Sequence, residues 1–136
     1  MNKEFIPYEQ ALALKELGFD EPCIKGFYNK EPIYTVVTTP VDFNSKKQLG
    51  ELISAPLYQQ VFRWFREKYN WQHSIEPTKD QHRFELGYNY WIWNHITGEE
   101  HHTMPKNRPS GDWEYEIYEE AELACLIKLI EIVKEK

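Results

Sequence analysis

YEEAELACLIKLIEIVKEK, residues 118–136, closes the chain and decides its architecture. It reads as one helix. At 100° per residue, Tyr118, Ala121, Leu123, Cys125, Leu126, Leu129, Ile130, Ile132 and Val133 cover roughly 200° of arc. A helix resting on one side of a small sheet needs about half of that. This helix is therefore either gripped on two sides or part of an interface.

The residues before it supply the surface it rests on. Trp113, Tyr115 and Ile117 alternate with Glu114 and Glu116, which predicts a strand running straight into the helix. Further back, Phe84 to Ile96 sets Phe84, Leu86, Tyr88, Tyr90 and Ile92 against Glu85, Asn89, Trp91, Trp93 and His95. Gly87 predicts a bend or bulge in that run. Trp71, His73 and Ile75 share one side of an earlier strand, with a turn over Pro77–Gln81 and a long polar loop over Thr97–Gly111. A second helix is announced by Ser54 and Pro56 and by Tyr58, Val61, Phe62, Phe65 and Tyr69 at helical spacing. The first helix runs from Pro7 or Tyr8 to Leu17, stopped by Gly18. Two short extended runs follow, Cys23–Tyr28 and Ile33–Thr38, joined by a turn at Asn29-Lys30-Glu31-Pro32, and Thr39–Ile53 reads as loop.

The expected fold is α+β, an antiparallel sheet of three to five strands with helices packed mainly on one face. The expected organisation is a single domain, 1–136, with an α-β-β-β-α core over 54–136 and an N-terminal helix and hairpin over 1–53. A chain of 136 residues buries enough surface for a core without metal or disulfide staples. Cys23 and Cys125 form no CxxC pair, and Cys125 lies on the apolar face of the last helix, so no structural disulfide is expected. No signal-peptide core and no membrane-length apolar run is present, which predicts a soluble, cytoplasmic protein without membrane partners.

The net charge is −6, and residues 112–136 hold eight acidic against three basic residues. Such a chain repels phosphate backbones, so no nucleic-acid backbone binding is expected. A basic protein partner is compatible with it. Five Trp, nine Tyr and seven Phe exceed what a small core absorbs, so some aromatic rings face outward.

The helix over residues 56–66, with its Tyr-Gln-Gln-Val-Phe-Arg-Trp-Phe-Arg core, and Tyr118–Val133, with Glu-Glu-Ala-Glu-Leu-Ala-Cys-Leu, resemble a family of small uncharacterised proteins from bacterial genomes and their phages. The α-β-β-β-α order also resembles the phage ABA sandwich domain. The resemblance covers about residues 56–134, plus Phe5–Phe19 for the first family. It rests on packing motifs, so it implies a fold and a phage or mobile-element setting, and no activity. The family often has Thr, a good N-cap, where this chain has Ile117. Double-stranded-RNA-binding domains share the element order but carry basic residues where this chain has Glu119, Glu120 and Glu122, so topology transfers no RNA function.

Four constellations carry chemistry. His95, His101 and His102 with Glu99 and Glu100 offer metal donors, but their spacing fits no ligand motif, and adjacent His101 and His102 point apart in an extended segment. A polar loop tip with solvated histidines is the stronger reading, and no metal or cofactor is called for. Trp91, Trp93 and His95, joined by His73 or Trp71, form an aromatic face that could stack a nucleobase or meet a protein. The plainer alternative is that this face is covered, by the N-terminal hairpin or by a second subunit in a homodimer. Glu114, Glu116, Glu119, Glu120 and Glu122 could do acid–base work, but carboxylates near a helix start more simply complement its dipole. Lys106 and Arg108, with Ser110 and Gly111, could hold an anion in the long loop. No nucleophile pattern stands out.

The leading expectation is a non-enzymatic, phage- or prophage-encoded binding protein that occupies a host protein partner, a defence component being one concrete form. Its binding residues would be Trp91, Trp93, His95, Lys106 and Arg108. The alternatives are a nucleotide or small-ligand binder on the aromatic face and, third, a metal-dependent hydrolase.

Overall fold

A computed structural model describes residues 2–35, 39–46, 50–79, 86–103 and 113–136. Three α-helices, α1 (Tyr8–Glu16), α2 (Tyr58–Tyr69) and α3 (Tyr118–Lys134), accompany six strands. These are β1 (Lys25–Tyr28), β2 (Glu31–Tyr34), β3 (Leu52–Ser54), β4 (Trp71–Lys79), β5 (Leu86–Asn94) and β6 (Glu100–His102). The fold is α+β, as expected. The strands form two antiparallel sheets of three, ordered β2-β1-β3 and β4-β5-β6. They belong to two compact units, Met1–Val61 and Phe62–Lys136, whose boundary falls inside α2.

In the first unit, α1 ends where Gly18 takes φ +93. Gly18 N–H donates to the Lys15 carbonyl and Phe19 N–H to the Leu14 carbonyl, a Schellman closure with Leu14 and Phe19 both buried. The β1–β2 turn is tighter than the sequence predicts. Asn29 and Lys30 alone make it, both at positive φ, as a two-residue hairpin requires. β3 lies in the stretch read as loop. Its three residues are all buried, so it lacks the alternation that marks a half-exposed strand. Ser54, expected to start the second helix, belongs to β3: its Oγ accepts from Phe43 N–H and its N–H donates to Asn44 Oδ1.

In the second unit, α2 buries Phe62, Trp64 and Phe65, and Asn70 at φ +64 turns the chain directly into β4. The β4–β5 register sets Trp71, His73 and Ile75 opposite Asn94, Ile92 and Tyr90. This face meets the helices. α3 packs on β5 and β4, and Phe62 stacks flat on His73 at 3.7 Å. The third strand is β6, not the predicted Trp113–Ile117 run. That run makes one bridge, Tyr115 to Tyr88. Pro77, expected in a turn, lies within β4, an edge strand where its missing N–H costs no ladder bond.

The wide arc of α3 is largely used: Ala121, Cys125, Leu126, Leu129, Ile130 and Ile132 are buried. Its far end is tied down by Lys136, whose Nζ donates to Glu99 Oε1 at 2.6 Å and lies 5.6 Å from the Trp71 ring centre. Among the described residues, no helix is long and apolar enough to cross a membrane.

Candidate functional site

Side chains alternate along a strand, so the β4-β5-β6 sheet has a second face. Ser74 pairs across from Trp91, Gln72 from Trp93 and Glu76 from Asn89 on one side. His102 pairs with Trp91 and Glu100 with Trp93 on the other. The two tryptophans thus stand in the middle of a three-strand surface, on the face opposite Ile92 and Leu86. Phe84, expected beside those two, lies outside the described residues.

This face is half closed by the chain itself. At its far end Trp113 lies flat over Gly87 and is 3% exposed. A Cβ on Gly87 would come within 1.9 Å of Trp113 Cγ, so the glycine provides room for a ring. The bend or bulge expected there is absent: Gly87 stays in register with Thr78. Next along, Asn89 clamps three segments together. Its Nδ2 donates to Thr78 Oγ1 at 3.3 Å, and its Oδ1 accepts from Thr103 Oγ1 at 2.9 Å and Glu114 N–H at 3.0 Å.

Beyond Asn89 the face opens. Trp91 is 39% exposed and Trp93 half-buried. Their rings meet edge to face at 6.5 Å and 82°. His102 leans on Trp91 at 5.6 Å. Ser74, Glu76, Trp91, Trp93 and Glu100 line a shallow depression of about 320 Å³. Ser74 Oγ donates to Glu76 Oε1 at 3.3 Å. The Glu100 carboxylate has no ion-pair or hydrogen-bond partner among the described residues.

The predicted site residues therefore divide. Trp91 and Trp93 come together as expected. His95 does not join them: β5 stops at Asn94, and His95 is exposed in the turn that follows. The cause is Asn94. Its Oδ1 accepts from Ile96 and Thr97 N–H, which curls the chain out of the strand. His73 and Trp71 also leave the aromatic face, because the register turns them toward the helices. Burial and the nearby Arg66 pull His73 down to about 4. Lys106 and Arg108 lie outside the described residues.

The histidine group is dispersed. His101 points to the helix face beside Trp71 and shares Glu99 with Lys136, its Nε2 at 2.7 Å from Glu99 Oε2. His102 points to the tryptophan face. Among the described residues, no three His, Cys, Asp or Glu side chains are placed to share a metal ion. Of the acidic group, Glu119 and Glu120 occupy the first turn of α3, where they complement its dipole. Glu122 sits one turn in, on the packed side. Burial, reinforced by Glu119, pushes its carboxyl up to about 7.

The sequence singles out neither Glu76 nor Ser74, and it offers Glu100 only as a possible metal donor, not as a neighbour of Trp93. Their positions depend on strand register, and the β6 strand is only three residues long. The signal that could have found β6 is Asn94-His-Ile-Thr-Gly98, a cluster of turn residues placing Glu100 back beside Trp93. Sequence reasoning also missed Lys25, buried in the first unit with its Nζ 5.1–5.8 Å from the ring centres of Phe27, Phe5 and Tyr34. Burial lowers its pKa, and three ring faces hold the cation.

Comparison with protein-family models, curated proteins and solved structures finds no match.

Proposed function

We propose that this protein is a non-enzymatic binding protein that docks a protein partner on the Trp91–Trp93 end of its second sheet. The observation that carries the reading is the contrast along one face. Trp113 is sealed over Gly87, while two strand pairs away Trp91 stays 39% exposed in the middle of three strands. A tryptophan left open on a rigid surface costs solubility and contributes little to the fold, which is the pattern of an interface anchor. In this reading the protein is phage- or prophage-encoded and its partner is a host protein, a defence component being one form. A nucleotide fits the same face less well. Glu76 and Glu100 flank the rings, and carboxylates repel the phosphates a nucleotide would bring.

Affinity capture from host lysate, run side by side with wild type and Trp91→Ala, tests the reading. The variant is expected to keep the wild-type unfolding free energy within about 1 kcal/mol and to lose the captured partner. Equal capture by both proteins would sink the proposal.

A further inference from the structure

The depression is more specific than a bare apolar patch, and its charge says what it takes. It has two indoles at the centre and a carboxylate on each flank: Glu76 on β4 and Glu100 on β6. Glu100 is the direct cross-strand neighbour of Trp93, and Glu76 lies one step along β4 from Ser74, the neighbour of Trp91. Directly opposed residues have Cβ atoms about 5 Å apart and diagonal ones about 7–8 Å, so Glu100 beside Trp93 and Glu76 diagonal to Trp91 both line the depression with the rings. No Lys or Arg lines the depression among the described residues. The Glu100 carboxylate is exposed and without a partner there, and Glu76 meets only the Ser74 hydroxyl. Two exposed carboxylates beside an open tryptophan form an attractive field for a cation and a repulsive one for an anion.

We infer that the Trp91–Trp93 depression receives a cationic side chain, arginine above all, presented by a basic segment of the protein partner. This rests on the reading of the face as a partner surface. Arginine suits the geometry better than lysine. Its flat guanidinium stacks on an indole while its edge donates to a carboxylate, whereas an ammonium is a strongly hydrated point charge. The chain's acidic balance of −6 steers the same class of partner from a distance.

The test uses the full-length protein and two short, otherwise identical peptides, one with a central arginine and one with citrulline, its uncharged isostere. The Trp91 and Trp93 indole N–H resonances, assigned from Trp91→Phe and Trp93→Phe spectra, are followed by NMR during titration. The expected result is a saturable shift of both resonances with the arginine peptide and none with the citrulline peptide. Affinity should fall at least about tenfold in Glu76→Gln/Glu100→Gln, and should weaken with added salt. These isosteric changes sit on exposed side chains, so the fold is retained.

Equal shifts from the citrulline peptide would overturn the cationic occupant while leaving the face a binding surface. Absence of shifts from either peptide, with partner capture still lost in Trp91→Ala, would also overturn it and leave the docking reading standing. Absence of shifts together with unchanged capture by Trp91→Ala would remove both.

Discussion

Two single residues show how this sequence departs from its own local preferences. Ile117 is the N-cap of α3, with φ −123 and ψ 148, yet its side chain caps nothing and is 51% exposed. The competing idea, that it continues Trp113 and Tyr115 into the core, fails on that exposure. Ile117→Thr should therefore stabilise the fold by roughly 0.5–2 kcal/mol, because the hydroxyl can accept from an orphan N–H of the first turn. A lower denaturant midpoint would rule this out. Gly87 is the opposite case, a residue whose absent side chain is required. Gly87→Ala should unseat Trp113 and cost about 2–4 kcal/mol, with a red-shifted tryptophan emission. The two sites share one contact, so Gly87→Ala should add little on top of Trp113→Ala. Additive losses in the double variant would mean that the ring does not depend on the glycine.

At the scale of elements, periodicity found the helices and the long strand, and it failed where packing is two-sided or the strand is short. α2 and α3 announce themselves through repeats at three and four residues. The Phe84–Ile96 alternation placed Trp91 and Trp93 opposite Ile92 because that follows from one strand alone. The neighbours of those tryptophans depend on pairing between strands, which no single run encodes. A shift of one residue exchanges His73 for Ser74. β3 and β6, at three residues each, are too short to show a period at all. Exposure also reverses a ranking that position along the strand suggests. Trp93 lies nearer the end of β5, which predicts the smaller loss on truncation. β6 pairs with both tryptophans, yet Trp93 is half-buried while Trp91 is 39% exposed, so Trp93 is the more buried of the two. Trp93→Ala should cost about 2–3 kcal/mol and Trp91→Ala about 1 kcal/mol or less. Urea unfolding of the two variants checks the order, and a larger loss at Trp91 would contradict it.

For the whole molecule, the order of periodic segments foresaw an α+β protein and the composition its surplus aromatic rings, but neither foresaw two three-stranded sheets, because the N-terminal sheet depends on β3 and the other on β6. Nor could composition reveal that the second unit carries two titrations of opposite sign on the stability of the chain. His73 stacks on Phe62 and is held near 4 by burial and Arg66, below its ordinary 6.5. The unfolded chain thus takes up this proton first, and stability rises with pH between about 4 and 6.5. Glu122 is held near 7 by burial, with Glu119 adding to it, above its ordinary 4.5. Here the folded chain keeps its proton longer, so stability is greatest below about 4.5 and falls as pH rises through about 7. The two slopes oppose each other between about 4.5 and 6.5, and the wild type should respond weakly to pH there. Each contribution amounts to roughly 1–2 kcal/mol once solvent screening of these part-exposed groups is counted. Glu122→Gln should gain stability over wild type progressively from pH about 4.5 to 7, leaving the rising His73 limb exposed. His73→Phe, which keeps the stack on Phe62, should leave the falling Glu122 limb. Urea midpoints of the three proteins across this range give two difference curves that must slope in opposite directions. A flat Glu122→Gln curve would show that the carboxyl is already ionised in the fold, and that the packed side of α3 tolerates its charge.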